Sequence, residues 1–267
     1  MHRNRSFALV MVIGLLGCSE PQQDAVGTEA DPAVVEQVSV IPAVVPEALA
    51  TKPEAYASLT NANCESFLMD WHEEHRDRFV RMTTDWGEIV VELFDDVPLH
   101  AANLRYKVHR GYYSPTEMVR IVPEFVVQGG NSEEDLAQEL RWLIGKHTLP
   151  SEFRKDRLHY RGALAMGRTY QGNPDKRSSS YDFYVVVGRK VSSVELAQLE
   201  NEKGRTYTAA QKTRYKKEGG APHLDGEHTV FGRMVSGWDV LDALAALPTD
   251  NSDWPLNRVE VRMELEP

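Results

Sequence analysis

The chain has 267 residues, enough for one large domain or two small ones, and a formal net charge of −10. Acidity of this size excludes the basic face that nucleic-acid phosphates require and reads more simply as a means of solubility.

The N-terminus reads as a targeting segment rather than part of a fold. Arg3 and Arg5 precede the apolar run Phe7 to Leu16, which is too short to span a bilayer and suits a signal-peptide core. The run ends in Leu15-Leu16-Gly17-Cys18, which resembles the bacterial lipobox. By that resemblance residues 1–17 are removed and Cys18 carries a lipid anchor. An ordinary secretory signal that contains a cysteine is the alternative. With Cys18 lipidated only Cys64 remains, so the mature chain offers no internal disulfide and Cys64 reads as a small buried residue.

Residues 18–58 are rich in Ala, Val, Pro, Glu and Gln, and Pro21, Pro32, Pro42, Pro46 and Pro53 interrupt any regular element. This is a flexible tether. Residues 59–78 form a lead-in: Cys64, Phe67, Leu68 and Trp71 fall at i, i+3, i+4 and i+7, an amphipathic helix ending near 75–78 that packs on the domain after it. Docking an external partner is the alternative for that face. His72-Glu73-Glu74-His75 imitates a zinc protease motif, but its histidines are three apart rather than four, so a solvated helix face is the better account.

From residue 79 to 267 the texture is mainly β. Strands are predicted at 79–83, 88–94, 118–122, 125–128, 162–166, 182–187, 229–234 and 258–265, the last alternating Val259, Val261, Met263 and Leu265 against charges. A helix is predicted over 98–110, with Pro98 in its first turn and Gly111 past its end, and a second over 238–247. This spacing suits a closed antiparallel barrel, and pattern alone leaves a sandwich open. Residues 190–220 stand apart. Ser192-Ser193-Val194-Glu195 and Thr208-Ala209-Ala210-Gln211 both match the capping box, which predicts a helical hairpin inserted in a loop.

The segment from Met118 to Gly130 sets Arg120 inside an apolar strand, followed by Pro123, Phe125, Val126, Gln128 and paired glycines. A guanidinium among apolar neighbours is either bound to a partner or held ready to donate to a ligand. This segment closely resembles the active-site strand pair of the cyclophilins, the peptidyl-prolyl cis-trans isomerases. Similar motifs recur in family order over most of residues 79–265: Gly87 to Phe94, Pro98 to Tyr113, Asn173-Pro174, Ser178 to Val186, and His223-Leu224-Asp225-Gly226-Glu227-His228-Thr229-Val230-Phe231-Gly232. The resemblance implies an eight-stranded antiparallel closed barrel capped by two helices. It implies isomerisation of X-Pro bonds without metal or other cofactor, on proline-containing segments of exported proteins, at a membrane reached through the lipid anchor.

By the same resemblance Arg120 is the catalytic donor and Phe125, Val126, Tyr184 and Leu224 form the proline pocket. His228 closes its edge, Gln128 orients the arginine, and Gly167 and Arg168 meet the residues preceding proline. Taken singly, Phe125, Val126 and Leu224 read as core and His228 as a structural histidine. The chain departs from the family pattern at Met118-Val119, Lys107, Asn131 and, most consequentially, Tyr181-Asp182, where Ser-Gln is common. Asp182 is expected to pair with Arg120. Losing a charged hydrogen bond of about 1.5–3 kcal/mol in the transition state would slow turnover roughly 10- to 100-fold. A catalytically impaired peptide-binding or scaffolding module is therefore the alternative function. His223 stands where many members carry a tryptophan that contacts cyclosporin, which implies weak binding of that inhibitor.

Overall fold

The computed structural model describes residues 56–114 and 116–267. The signal segment, Cys18 and nearly all of the tether lie outside the described residues.

The lead-in helix α1 (Cys64–Glu74) buries Cys64, Leu68 and Trp71 against α2 (Pro98–His109), so the apolar stripe has its partner within the domain. His72, expected on a solvated face, is buried instead. Its Nδ1 lies 3.1 Å from Nη1 of Arg105 on α2, while His75 stacks on Trp71 at 3.5 Å. Covered by α1 on one side and by the barrel on the other, α2 buries even Arg105 and Lys107. Arg105 donates to the Asp77 carbonyl at 2.6 Å. Lys107 donates to Asn103 and sits 4.4 Å over the Tyr181 ring, and burial pushes its pKa well down. The exposed N–H groups of the α2 start are taken by a distant carboxylate: Glu152 accepts from Leu99 at 3.1 Å and from His100 at 2.9 Å.

The strands are β1 (Phe79–Thr84), β2 (Gly87–Leu93), β3 (Thr116–Val122), β4 (Val126–Gly129), β5 (Thr148–Leu149), β6 (Ala163–Met166), β7 (Ser178–Ser179), β8 (Phe183–Val186), β9 (Val230–Ser236) and β10 (Glu260–Glu266). Eight close into an antiparallel barrel in the order β1-β10-β3-β4-β8-β6-β9-β2, and β5 pairs with β7 outside it. Closure decides against the sandwich and leaves the barrel no open edge. The registers set Ile121, Val127, Val185 and Leu164 in one buried row. Each such side chain contributes about 1.5–3 kcal/mol by leaving water. The alternate row, Arg120, Gln128, Tyr184 and Ala165, faces the opposite way.

Two further helices are α3 (Asp135–Ile144), which the sequence reading did not anticipate, and α6 (Trp238–Ala245), which it did. The insertion forms α4 (Ser193–Lys203) and α5 (Ala209–Glu218). Thr208 and Gln211 make the reciprocal capping box, with bonds of 3.2 and 2.8 Å. Ser192 caps in one direction only, accepting from Glu195 N–H at 3.1 Å, because the Glu195 carboxylate is engaged by Arg189 at 2.8 and 3.0 Å.

The insertion has its own small core of Leu158, Tyr160, Val191, Leu196, Tyr207 and Tyr215. It is fastened to the barrel by Asp225, whose Oδ2 accepts from Tyr215 at 2.6 Å and Tyr207 at 2.8 Å. Asp225 Oδ1 accepts from the His159 backbone N–H at 2.8 Å and from its Nδ1 at 2.9 Å. Burial alone would raise the Asp225 pKa, but the bonds from His159 and Tyr215 outweigh it and hold the carboxyl below its ordinary range. At the return of the insertion, Gly220 has φ 151 and bridges both Tyr160 and Arg189. A Cβ there would meet the Tyr215 ring at 2.7 Å.

Removing one donor from Asp225 leaves a buried carboxylate oxygen short of a partner, at a cost of about 1–3 kcal/mol. Tyr215→Phe is therefore expected to lower the urea midpoint, whereas Val194→Ala on the exposed face of the insertion is expected to leave it within error. A Tyr215→Phe variant as stable as the parent would show that the insertion is not fastened here.

Two buried imidazoles make stability depend on acid. Burial lowers the pKa of His147 to about 2 and that of His228 to about 4, from 6.5. A ring that protonates more easily in the unfolded chain favours unfolding as protons are added, so its contribution is whole above pH 6.5 and lost as pH falls towards the folded value. Each ring has a limiting slope of about 1.4 kcal/mol per pH unit within its window. Urea titrations between pH 6.5 and 4.5 should show falling stability, with a shallower slope in His147→Gln; equal slopes would place that ring in water.

Candidate active site

Arg120 reaches the outside of the barrel because it shares a row with half-buried Gln128 rather than with buried Ile121. Its ionic partner is not Asp182. Nε and Nη2 of Arg120 donate to Asp253 Oδ2 at 3.2 and 3.1 Å, both side chains remaining about two-fifths exposed. Nη1 makes no hydrogen bond among the described residues. Asp253 is delivered by the loop before β10. Its φ is 65°, its carbonyl accepts from Ile121 N–H at 2.8 Å, and Asp250 accepts from the Ser252 and Trp254 N–H groups to shape the turn.

The expected Arg120–Asp182 pair is thus replaced by Arg120–Asp253. Asp182 sits just before β8, where Ser179 Oγ lies 3.4 Å from its backbone nitrogen and also hydrogen-bonds its carboxyl. Desolvation raises the Asp182 pKa against that bond. Its carbonyl accepts from Gly167 N–H at 2.9 Å, and a Cβ on Gly167 would stand 3.1 Å from that of Asp182. Gly167, Asp182 and Gln128 therefore share a corner in which any larger residue at 167 would crowd the other two.

Of the remaining residues of the expected pocket, Phe125 is the one in ring contact with Arg120. The Arg120 guanidinium is 5.9 Å from the Phe125 ring centre, and Phe125 stacks on His223 at 5.3 Å. Val126 and Leu224 are buried. Tyr184 packs edge-on against His228 at 5.6 Å. Its hydroxyl is 3.0 Å from His159 Nε2, which ties this wall to Asp225. His228 is held from both ends: Nδ1 donates to the Met166 carbonyl at 3.1 Å, and Nε2 lies 2.8 Å from the Tyr170 hydroxyl. The Nδ1–H assignment leaves Nε2 as the acceptor of the Tyr170 proton, consistent with a ring kept uncharged by burial.

Arg168 takes a different part from its charge. Its guanidinium donates to Glu227 at 2.8 Å and to the Glu227 carbonyl at 2.7 Å, and it lies 4.0 Å over Tyr170. At this edge the Gly167 backbone is already engaged, its N–H by the Asp182 carbonyl at 2.9 Å and its carbonyl by the Ser179 N–H at 2.8 Å. The functional candidates that sequence reasoning missed are Asp253 and His159. No periodicity marks either one, and Asp253 lies 133 residues from the arginine it binds.

Chemically, the arrangement sets a guanidinium, paired with Asp253, beside the Phe125 ring. Among the described residues no cluster of His, Cys, Asp or Glu is grouped to hold a metal ion.

Comparison with known proteins agrees with this geometry. The family model described as cyclophilin type peptidyl-prolyl cis-trans isomerase/CLD matches residues 79–264. A Streptococcus pyogenes relative is 32% identical over 186 residues, covering 68% of this chain and 37% of its own length. A peptidyl-prolyl cis-trans isomerase-like 2 protein of Rhizopus delemar is 28% identical over 215 residues, 79% of this chain and 33% of that protein. The chain thus spans about a third of these two relatives, whereas it covers 73% of an Acinetobacter baylyi peptidyl-prolyl cis-trans isomerase at 28% identity over 64% of this chain. A crystal structure of a Cryptosporidium parvum cyclophilin type peptidyl-prolyl cis-trans isomerase superposes with a TM-score of 0.51 at 19% identity, over 71% of this chain and 98% of that one. By its family match and its barrel, the chain belongs to the cyclophilin-type peptidyl-prolyl cis-trans isomerases.

Proposed function

We propose that the domain catalyses cis-trans isomerisation of X-Pro bonds in exported proteins, at a membrane to which Cys18 anchors it after loss of residues 1–17, facing the periplasm from the outer membrane. The observation that carries the catalytic reading is Arg120: fixed through Nε and Nη2, it keeps Nη1 for a ligand beside Phe125.

The reaction needs no covalent step. Amide resonance sets a barrier of about 18–20 kcal/mol, and uncatalysed exchange takes roughly 10–100 s at 25 °C. As the bond twists, its nitrogen becomes pyramidal and accepts a hydrogen bond that the planar amide cannot. A fixed donor at that point stabilises the transition state more than the ground state. In this reading Phe125, Val126, Tyr184 and Leu224 seat the proline ring, and His228 closes the edge as an uncharged ring. Gln128, beside Arg120 in register, and the backbone at Arg168 align the chain, the Gly167 N–H and carbonyl being already paired with Asp182 and Ser179.

Activity is reduced by Asp253 rather than by Asp182. A carboxylate on the catalytic guanidinium offsets part of the charge that the twisted amide would feel. Because the pair is about two-fifths exposed, water screens it to roughly 1 kcal/mol or less, a slowing of about 2- to 5-fold. This is smaller than the 10- to 100-fold expected of a pair with Asp182.

The alternative, a module that binds proline segments without turning them over, is favoured by the same neutralised charge. Two-dimensional NMR exchange on a short X-Pro peptide separates the two. The parent protein should accelerate exchange and Arg120→Ala should abolish it. Peptide binding with no acceleration would establish the binding module instead.

Asp253→Asn keeps an acceptor for Arg120 while removing the charge, so turnover should rise about 2- to 5-fold in the same assay. Asp182→Gln should give no such rise. The reverse order of the two variants would return the limiting carboxylate to Asp182. For the anchor, metabolic labelling with a radioactive fatty acid should mark the full chain and not Cys18→Ser, and an unlabelled parent would remove the lipoprotein reading.

A further inference from the structure

Phe125 faces two spaces. One is the candidate proline seat beside Arg120. The other is a cavity of about 320 Å³ whose walls come from the β3–β4 turn (Pro123, Glu124, Phe125) and from the two ends of the insertion, including Arg189, Glu195 and His223. The insertion end is a firm wall, because Asp225 and the Gly220 bridges hold it. A peptide seated against Phe125 and His223 would run from one space into the other.

The cavity has an apolar base and a rim of unequal charge. Arg189 is consumed by two bonds to Glu195. Lys203 of the insertion donates to the His223 carbonyl and lies 3.6 Å from Glu227. Glu124 is exposed, held at φ 59° in the turn, and forms no ion pair among the described residues. The rim thus carries one carboxylate in excess. It adjoins a base formed by Pro123 and Phe125, against which the methylene stem of a long cationic side chain can lie.

We propose that this cavity is a second substrate subsite, which takes a lysine or arginine side chain from the flank of the substrate that crosses Phe125 and His223, with Glu124 as its partner. The inference rests on the reading of the neighbouring seat as the place where proline binds. The insertion is then a specificity element: it supplies the far wall, and Glu195 offsets the charge that Arg189 would otherwise set against Glu124.

The test uses X-Pro peptides carrying Lys, Ala or Glu one, two or three residues before or after the proline. Both exchange rate and binding, read from NMR shifts, are measured for the parent and for Glu124→Gln, Glu124→Lys and Arg189→Ala. On one flank only, Lys should be preferred over Glu by about 2- to 5-fold, the range of an exposed ion pair, with the effect in apparent affinity rather than in maximal exchange. Glu124→Gln should bring the ratio towards one, Glu124→Lys should invert it, and Arg189→Ala should enlarge it by releasing Glu195. Equal handling of Lys and Glu on both flanks, or a preference untouched by Glu124→Gln, overturns the subsite while leaving the isomerase intact. Failure of every peptide to exchange faster with the parent overturns the isomerase reading, and the affinity ratios of the same peptides still decide the subsite. Failure of every peptide to bind overturns both.

Discussion

The Asp225 carboxylate is the constraint from which most of this surface follows. It is buried, ionised and bonded four times: twice by His159 and once each by Tyr207 and Tyr215. An ionised group is costly in the interior unless every lone pair is used. The two segments that supply its donors therefore cannot part from it without leaving a charge unsatisfied. One of those segments is the insertion, which on composition alone would pass for a solvated appendage. A second is the stretch before β6. Through His159 the same network reaches Tyr184, so the outer wall of the candidate proline seat and the inserted helices share one anchor.

The barrel supplies a different kind of constraint. Strand register places Ile121, Val127, Val185 and Leu164 in one buried row and Arg120, Gln128, Tyr184 and Ala165 in the next, so a shift of one residue would exchange core for site. Arg120 is tolerated in an apolar strand because its row leaves the barrel and because the loop before β10 offers a carboxylate. That loop is itself tied to β3 through the Asp253 carbonyl and Ile121 N–H. The arginine and its partner are positioned by the same pair of strands.

Much of this was legible in the sequence where a signal is local and periodic. The alternation of Val259, Val261 and Met263 gave β10, the spacing of Cys64, Leu68 and Trp71 gave α1, and the caps at Ser192 and Thr208 gave the insertion. Helix α3 had a signal that went unread: Leu136, Leu140 and Ile144 recur every four residues and Gly145 follows. What could not be read was pairing across distance. Asp182 was expected to be the partner of Arg120, yet Ser179 three residues earlier keeps its carboxyl, while Asp253 comes from 133 residues further along the chain. Burial of charge was equally hidden. Lys107 and His72 look like surface residues in sequence, and they are buried because α1 covers α2.

The titration behaviour of the site fits a reaction that moves no proton. Burial holds the Tyr184 hydroxyl well above its ordinary pKa and lowers His228 to about 4. Both are therefore uncharged across the neutral range and serve as shape and hydrogen-bonding groups rather than as acid or base. Proton transfer needs a group poised near the working pH, and neither is so poised. What remains facing the walls is a guanidinium that does not deprotonate, partly offset by a carboxylate in screened contact with it. In the proposed reading, a site built this way favours the twisted amide over the planar one through Nη1 of Arg120.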